Sequence, residues 1–484
     1  MLFNSLEFLF LFLPLTIVGF FCIGRAGHRV ANGWLLCASV FFYGYWNASF
    51  VPLLLSSIVV NYLVGERLRK SGSRGRAWLI GGVAFNLVLL GVFKYADFAV
   101  ANGNALFGSA WPLPGIVLPL GISFFTFTQI AYLADVSQRR AREYEPMNYG
   151  LFVTFFPHLL AGPILHHREI MPQFASPAIR RPVPANIAAG LFLLIAGLAK
   201  KVLIADEVAP WANAGFADVP ALNLIDAWIA ALAYTIQIYF DFSGYSDMAI
   251  GMALLINVRL PINFDSPYKA RNVRDFWRRW HITLSRFLRD YLYVLLGGNR
   301  RGWWLAGSFA LLTFVLGGLW HGANWTFVVW GLLHGIGMLA VRTCDRFEIA
   351  LPCWLACALT FLFVVVAWVF FRAASLGDAI YMVGTLFGAH GVDFRPGAGT
   401  WAPLFDAQNY APAAIASLYP TLRSGTVLVL GLLIAWYGRN SQELLAGYRP
   451  TPGSVIACGT LCAALLVASV LEMQRASEFI YFNF

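Results

Sequence analysis

Two histidines are candidate functional residues, and the first of them lies where ionisable side chains are rare. His321 stands in TFVLGGLWHGANWTFVVWGLLHG (313 to 335), an apolar and aromatic run whose nearest basic residues are at 300 to 301 and at 342. An ionisable group in such a run is costly and is a functional candidate, although a histidine hydrogen-bonded to a neighbouring helix is the structural alternative. Desolvation favours the neutral imidazole, which can accept a proton from an attacking hydroxyl. We therefore predict that His321 is a general base.

The second histidine, His281, lies in a basic stretch from 259 to 301 that holds ten Arg or Lys against three Asp. Over 274 to 291 a helical wheel separates arginines from apolar residues, which predicts an amphipathic interfacial helix. His281 falls at the edge of the apolar side and should point into the protein or the membrane. Two interpretations of the basic side stay open: a surface for anionic lipid headgroups, or the mouth of a site for a phosphate-rich ligand.

Two carboxylates, Asp241 and Asp247, lie in the apolar segment 234 to 251. Because they are six residues apart they do not share a helix face, so a paired-carboxylate mechanism is not expected. They could pair with arginines of the basic stretch or line a polar pocket.

His334 follows His321 by thirteen residues, about 220° around an unbroken helix. The two histidines converge only if Gly322 or Asn324 breaks the helix, so we predict a structural role for His334. Asn324 could orient His321 or donate to a developing oxyanion, or be a helix-interior residue bonded to a carbonyl. The sequence shows no metal-ligand spacing, phosphate loop or serine nucleophile elbow.

The composition indicates how these groups are positioned. Of the 484 residues 59% are hydrophobic and 12% charged, and the mean hydropathy is +0.67. Soluble chains are about one quarter charged, so this chain is predicted to lie in a bilayer and to contact lipids. The net charge of +10 comes from Lys and Arg in short loops, which favours membrane orientation over a nucleic-acid partner.

Apolar runs long enough to cross a bilayer recur along the whole chain, and two of them, 34 to 64 and 303 to 341, are long enough for a helical hairpin. They predict an all-α polytopic protein of roughly 10 to 13 transmembrane helices, with 1 to 484 forming one domain. The polar stretch near 390 to 424 is predicted to be an external loop.

The segment 150 to 165, GLFVTFFPHLLAGPIL, is too short to span as a helix and is broken by proline and glycine. It predicts a re-entrant element. Broken backbone survives at membrane depth only when it is buried in protein or lines a wet cavity. The chain is therefore predicted to enclose a central tunnel.

Several ordered motifs resemble the membrane-bound O-acyltransferase family, and within it the bacterial branch that acetylates alginate. They are FFPHLLAGPI, YFDFSGYSDMAIG, PINFDSPY, DFWRRWHITLSRFLRDYLY, LGGNR, LGGLWHGANW and the terminal FIYFNF. The resemblance runs over the whole chain.

This resemblance implies that His321, in the WHG motif, is catalytic and that His281, in the RRWH motif, is the second functional position. It further implies acetyl-coenzyme A as the cytoplasmic donor, with no metal cofactor, and a central tunnel across the bacterial inner membrane. The implied partners are a periplasmic acetyltransferase and an exopolysaccharide such as alginate. Candidate donor-binding or tunnel residues are Lys269, Arg278, Arg279, Trp320, Asn324 and Asp241.

One position departs from the family pattern, because His158 stands where glutamine is expected, and His166 and His167 follow the AGPI turn. The groups lining the acceptor side are therefore open. Two other classes compete: a transporter or channel in which Asp241, Asp247 and His321 form a proton or ion relay, and a scaffold that recruits a periplasmic enzyme. A missing inverted repeat weakens the transporter interpretation.

Overall fold

The computed structural model describes residues 1–71, 75–141, 145–392, 412–473 and 479–480. Every regular element in these ranges is helical. Helices satisfy their backbone hydrogen bonds internally, which is the condition for crossing lipid as a single segment. The all-α prediction is confirmed.

The chain divides into two compact units, of which the first comprises Met1–Gly197 and Tyr245–Asn263. Its helices are α1 (Leu13–Ile23), α2 (His28–Trp46), α3 (Val51–Lys70), α4 (Gly75–Leu90), α5 (Ala96–Phe107), α6 (Ile122–Ser137), α7 (Pro146–Thr154), α8 (Phe156–Leu159), α9 (His167–Ala175) and most of α10 (Pro184–Ala199).

The second unit comprises Leu198–Gly244 and Phe264–Phe484. Its helices are α11 (Asp206–Ala217), the larger part of α12 (Leu224–Leu255), α13 (Val273–Arg279), α14 (Ile282–Leu288), α15 (Val294–Leu296), α16 (Trp303–His321), α17 (Trp325–Arg346), α18 (Cys353–Arg372), α19 (Leu376–Leu386), α20 (Pro412–Tyr437), α21 (Ser441–Gly447) and α22 (Pro452–Glu472). A single domain over 1 to 484 stays a prediction.

Eight helical segments within the described ranges are long and apolar enough to cross a membrane. They are Phe8–Ala26, Ala48–Lys70, Gly75–Phe107, Pro184–Ala217, Trp303–His321, Trp325–Arg346, Cys353–Arg372 and Pro452–Glu472. Large apolar side chains on their outer faces are exposed, such as Val18 and Leu461. Exposed apolar faces on long helices suit a lipid environment.

Both predicted hairpins are confirmed by helix breaks. Between α2 and α3 the chain turns at Asn47, whose side chain accepts a hydrogen bond from the Ser49 N–H at 3.0 Å. Between α16 and α17 it turns at residues 322 to 324, where Gly322 is extended. A capping side chain replaces the hydrogen bonds that a helix loses at its first turn.

The predicted break in 150 to 165 is also present. Helix α7 ends at Thr154, α8 is a single turn, and the chain then runs without helix to His166. Every residue from 150 to 167 is buried. Re-entry into the membrane and a central tunnel stay predictions.

Two predictions of local structure are wrong. The stretch 274 to 291 is not one helix, because α13 ends at Arg279 and α14 begins at Ile282. The polar stretch near 390 to 424 is not loop throughout, because α20 begins at Pro412; residues 393 to 411 lie outside the described ranges.

Candidate active site

His321 is the last residue of α16 and is 3% exposed. Its imidazole is enclosed by aromatic rings, with centroid distances of 4.9 Å to Trp320, 5.1 Å to Trp330 and 5.3 Å to Phe371. The side chain therefore does not face lipid. Enclosure by rings of this kind creates the low-polarity setting that the sequence predicts for a neutral imidazole.

Asn324 caps the helix that begins just after His321. It is the N-cap of α17: its Oδ1 accepts a hydrogen bond from the Thr326 N–H at 3.1 Å, and its Nδ2 donates to the Ala374 carbonyl at 3.0 Å. The alternative of a helix-interior Asn324 is wrong. Both ends of the amide serve local structure, and a role in orienting His321 or binding the donor stays a prediction.

Helices α16 and α17 approach closely through glycines. A Cβ added at Gly318 would overlap the Phe327 carbonyl oxygen, and one at Gly331 would overlap that of Phe314. Gly331 and Gly335 are four residues apart, the small-residue spacing that lets membrane helices pack backbone to backbone. This contact sets the position of the His321 backbone relative to the side chains of α17.

His281 lies in the break between α13 and α14 and is fully buried. Its φ of 42° places a non-glycine residue in the left-handed region, a conformation that persists only when the surroundings impose it and that clusters at functional sites. The Phe242 ring packs edge-on against the imidazole at 4.7 Å. Burial lowers the pKa of His281 to about 3, so the ring is neutral. The prediction that His281 points inward is confirmed.

A continuous run of packed rings connects the two histidines within the second unit. Each neighbouring pair of rings has a centroid distance between 4.8 and 6.5 Å, in the order His281, Phe264, Trp280, Trp368, Trp330 and His321. The four central residues, with Trp277 and Phe371, are called the aromatic cluster below. It places both predicted histidines on one packed structure.

His334 joins the same cluster, because the break at 322 to 324 folds α17 back along α16. Its ring packs against Trp330 at 4.8 Å, and Trp330 in turn packs against His321. The Trp277 indole Nε1 donates a hydrogen bond to His334 Nδ1 at 3.1 Å, which joins α13 to α17. We predicted a structural role for His334 because an unbroken helix would turn it away from His321. The chain is broken between α16 and α17, so that reason no longer applies.

The three predicted cationic residues differ in their surroundings. Arg278 is exposed. The Arg279 Nε donates to Asp275 at 3.0 Å, and its Nη1 donates to the Asp265 carbonyl oxygen at 3.2 Å. Lys269 Nζ donates to the Gly438 carbonyl at 2.6 Å. Arg279 and Lys269 already donate hydrogen bonds within the protein, so Arg278 is the cation most available to a phosphate. Donor binding by all three residues stays a prediction.

Asp241 pairs with a residue that the sequence analysis missed. Lys201 Nζ lies 2.6 Å from Asp241 and 2.8 Å from Asp206, and all three side chains are buried. The alternative that Asp241 pairs with an arginine of the basic stretch is wrong. Lys201 sits in a π-helical turn, Lys200–Ala205, that links α10 to α11. The signal was a lysine inside an apolar run, a position that demands a buried partner.

Asp241 also holds the chain near the C-terminus. Its Oδ2 accepts a hydrogen bond from the Ile480 N–H at 3.0 Å, and Phe479 packs against Phe242 at 5.6 Å. Phe242 is the ring that contacts His281. Asp247, by contrast, belongs to the first unit.

Two histidines of the first unit, His158 and His167, have local partners. His158 Nε2 hydrogen-bonds to the Phe152 carbonyl at 2.9 Å, and His167 Nδ1 lies 3.2 Å from an Asp135 oxygen. Within the described ranges, no group of three or more His, Cys, Asp or Glu side chains is placed to hold a metal ion.

Long apolar helices and an enclosed histidine at a helix break define a multi-pass membrane protein with a buried site. Residues 121–377 match the sequence pattern of the membrane-bound O-acyltransferase family. A peptidoglycan O-acetyltransferase of Helicobacter pylori is 41% identical, covering all of this chain and 98% of that protein. A probable alginate O-acetylase AlgI of Pseudomonas putida is 38% identical over the full length of both. A teichoic acid D-alanyltransferase of Bacillus subtilis is 25% identical over 49% of this chain and 61% of its own length.

The chain belongs to the membrane-bound O-acyltransferase family. It is an O-acyltransferase of the bacterial inner membrane that crosses the bilayer several times. Family membership favours the enzyme over the transporter and scaffold alternatives. The motif that carries His321 lies inside the matched region, as does the motif that carries His281.

Proposed function

We propose that this chain moves an acetyl group from cytoplasmic acetyl-coenzyme A to a hydroxyl acceptor presented from the other side of the inner membrane, with His321 as general base. The observation that carries the proposal is the enclosure of His321, at 3% exposure, by Trp320, Trp330 and Phe371 at the end of α16. A buried imidazole in an apolar, aromatic shell has the protonation state that proton abstraction requires.

The proposed reaction needs only one proton shuttle. His321 takes the proton of the acceptor hydroxyl while its oxygen attacks the thioester carbonyl carbon. The carbonyl oxygen becomes negative, the carbon–sulfur bond then breaks, and the coenzyme A thiolate receives the proton from the His321 imidazolium. The products are an acetyl ester and free coenzyme A, and the site returns to its starting charge.

The donor is expected to approach from the basic stretch, with Arg278, Arg279 and Lys269 as candidates for its phosphates. Arg278 is the most exposed of them. His281 lies in the same stretch and is connected to His321 through the aromatic cluster. We propose that it guides the acyl chain or the acceptor and contributes less to the chemical step.

The final acceptor in the proposal is an exopolysaccharide, alginate or a similar polymer, reached through a periplasmic acetyltransferase partner. The relatives support a glycan outside the membrane, since one carries the name of an alginate O-acetylase and another that of a peptidoglycan O-acetyltransferase. Identities of 38% and 41% do not separate the two polymers. Ester-linked acetate should therefore be measured on both exopolysaccharide and peptidoglycan from cells with and without the gene.

The experiment that tests the proposal uses the purified full-length chain in liposomes, with radiolabelled acetyl-coenzyme A on one side and a periplasmic extract as the source of acceptor hydroxyls on the other. The His321→Ala variant should lose more than about 100-fold of acetyl transfer, since general base catalysis contributes about 10²–10⁴-fold. His28→Ala, a histidine at the start of α2 in the first unit, is the matched control and should retain activity. Near-normal transfer by a folded His321→Ala chain would remove His321 from the mechanism.

A further inference from the structure

We infer that the Trp330 indole N–H and the His334 Nε2–H bind the thioester carbonyl oxygen and hold the negative charge that it acquires during transfer. The inference rests on the proposed function and adds two residues to it. Both residues lie on α17, one helical turn apart, and Trp330 is in ring contact with His321.

The first step concerns the proton on His334. Trp277 Nε1–H donates to His334 Nδ1 at 3.1 Å, so Nδ1 must carry the lone pair. The neutral imidazole has one N–H, which this bond assigns to Nε2. Trp277 is thus a positioning residue: it selects the tautomer in which His334 presents a donor at its far nitrogen.

The second step concerns what these donors bind. Trp330 is 1% exposed and His334 is fully buried, yet neither the Trp330 Nε1 nor the His334 Nε2 has a hydrogen-bond partner within the residues that the structure describes. Buried N–H groups are almost always paired, and leaving two of them unpaired is costly. The class of group that would satisfy both is an oxygen acceptor brought by a ligand.

The third step concerns why that oxygen is the reacting carbonyl. Trp330 packs at 5.1 Å from the ring of His321, the proposed base. The thioester carbon must lie next to the hydroxyl that His321 deprotonates, so its oxygen must lie in the same region. Preorganised N–H donors in a low-dielectric site stabilise the oxygen that becomes negative far more than the neutral carbonyl.

The contribution is therefore expected in the turnover number. When the acceptor oxygen attacks, the carbonyl π electrons move to the carbonyl oxygen, where the two N–H groups bind them. When the carbon–sulfur bond breaks, those electrons return, and the thiolate takes the proton held by His321. Neither Trp330 nor His334 changes its protonation state.

The test compares Trp330→Phe with Trp368→Phe in the purified full-length chain, measuring kcat and KM for acetyl-coenzyme A per folded molecule. Both tryptophans are fully buried and their rings stack at 6.0 Å, but the Trp368 N–H already donates to the Tyr268 hydroxyl at 3.2 Å. Trp330→Phe should lower kcat by about 10²-fold with KM nearly unchanged, as loss of one oxyanion donor does. Trp368→Phe removes an N–H that is already paired inside the protein, so it should lower kcat at least about ten-fold less than Trp330→Phe does, while lowering thermal stability.

A second pair of variants tests the role of His334. His334→Phe removes the donor and should lower kcat by a similar factor, whereas His334→Gln keeps an acceptor and a donor and should recover at least ten-fold of that loss. Equal kcat values for Trp330→Phe and Trp368→Phe, or for the Gln and Phe variants of His334, would show that these residues only pack the site. If the wild-type chain transfers no acetyl group, the proposed function fails instead, so the two failures are distinguishable.

Discussion

Replacing Gly331 by alanine should disrupt the active site without removing any polar group. An added Cβ would overlap the Phe314 carbonyl oxygen and would lie 3.0 Å from both the Phe314 carbonyl carbon and the Val315 Cα, whereas ordinary contact begins at 3.4 Å. All three neighbours are backbone atoms of α16, so no side-chain rotation relieves the clash. The two helices must therefore separate by at least about 0.4 Å, and by more at the carbonyl oxygen.

This separation has two measurable consequences. Overpacking of a well-packed contact costs about 1–3 kcal/mol, so the thermal unfolding midpoint in detergent should fall. The displacement also moves His321, on α16, relative to Trp330, on α17. Misplacement of reacting groups by about 1 Å can cost about 10²-fold, so we expect acetyl transfer per folded molecule to fall by about 10- to 100-fold.

The matched control is Gly81→Ala in α4, where an added Cβ meets no atom within 4 Å. Alanine there should keep activity and leave stability unchanged or slightly raised, because alanine is the better helix former. The assay is acetyl transfer in liposomes together with tryptophan-fluorescence unfolding. Wild-type activity and stability in Gly331→Ala would refute the conclusion that the close backbone contact positions His321.

Two further predictions concern buried charge. Lys201→Met leaves Asp206 and Asp241 buried without their cation and should cost about 3–5 kcal/mol, whereas Asp241→Asn leaves a one-to-one pair and should cost far less in detergent unfolding; equal losses would contradict this. Burial lowers the pKa of His281 from 6.5 to about 3, so between these pH values the unfolded chain binds a proton that the folded chain does not. The free energy of unfolding should therefore fall as the pH drops from about 6.5 toward 3. The fall should be less steep in His281→Gln. Parallel profiles would contradict it.

The aromatic cluster connects two histidine motifs that are distant in sequence. His281 and His321 were each predicted from their own surroundings, one from an amphipathic pattern and the other from an apolar run. The contacts through Trp280, Trp368 and Trp330 join those motifs. An aromatic shell can exclude water from a thioester and also stiffen the groups that act on it.

The break at His281 could not be predicted from local sequence. Residues 274 to 291 have a clear helical period, and histidine has no strong preference for the left-handed region. The helix nevertheless ends at Arg279, and Trp280, the next residue, packs against both Phe264 and Trp368. Tertiary packing here outweighs the local preference for a continuous helix.

The partner of Asp241 is a second feature that could not be predicted from the sequence. The arginines of the basic stretch were one possible set of partners for Asp241, but charge alone does not show which cation lies within reach of its carboxylate. The structure selects Lys201 because a π-helical turn places its ammonium beside two buried carboxylates. A buried lysine is tolerable only with such partners, so its place in an apolar run signalled a pair without saying which.

The sequence alone was enough to predict the membrane class, the all-α fold, both hairpins and the candidacy of His321. These features depend on the length and polarity of contiguous segments, which hydropathy, helix-breaking residues and charge distribution reveal. The packing of His321 and His334 against Trp330, the turn at His281 and the Lys201–Asp241 pair depend on contacts between different helices. Such contacts are chosen by packing and by the need to pair every buried charge and donor, which no single segment encodes.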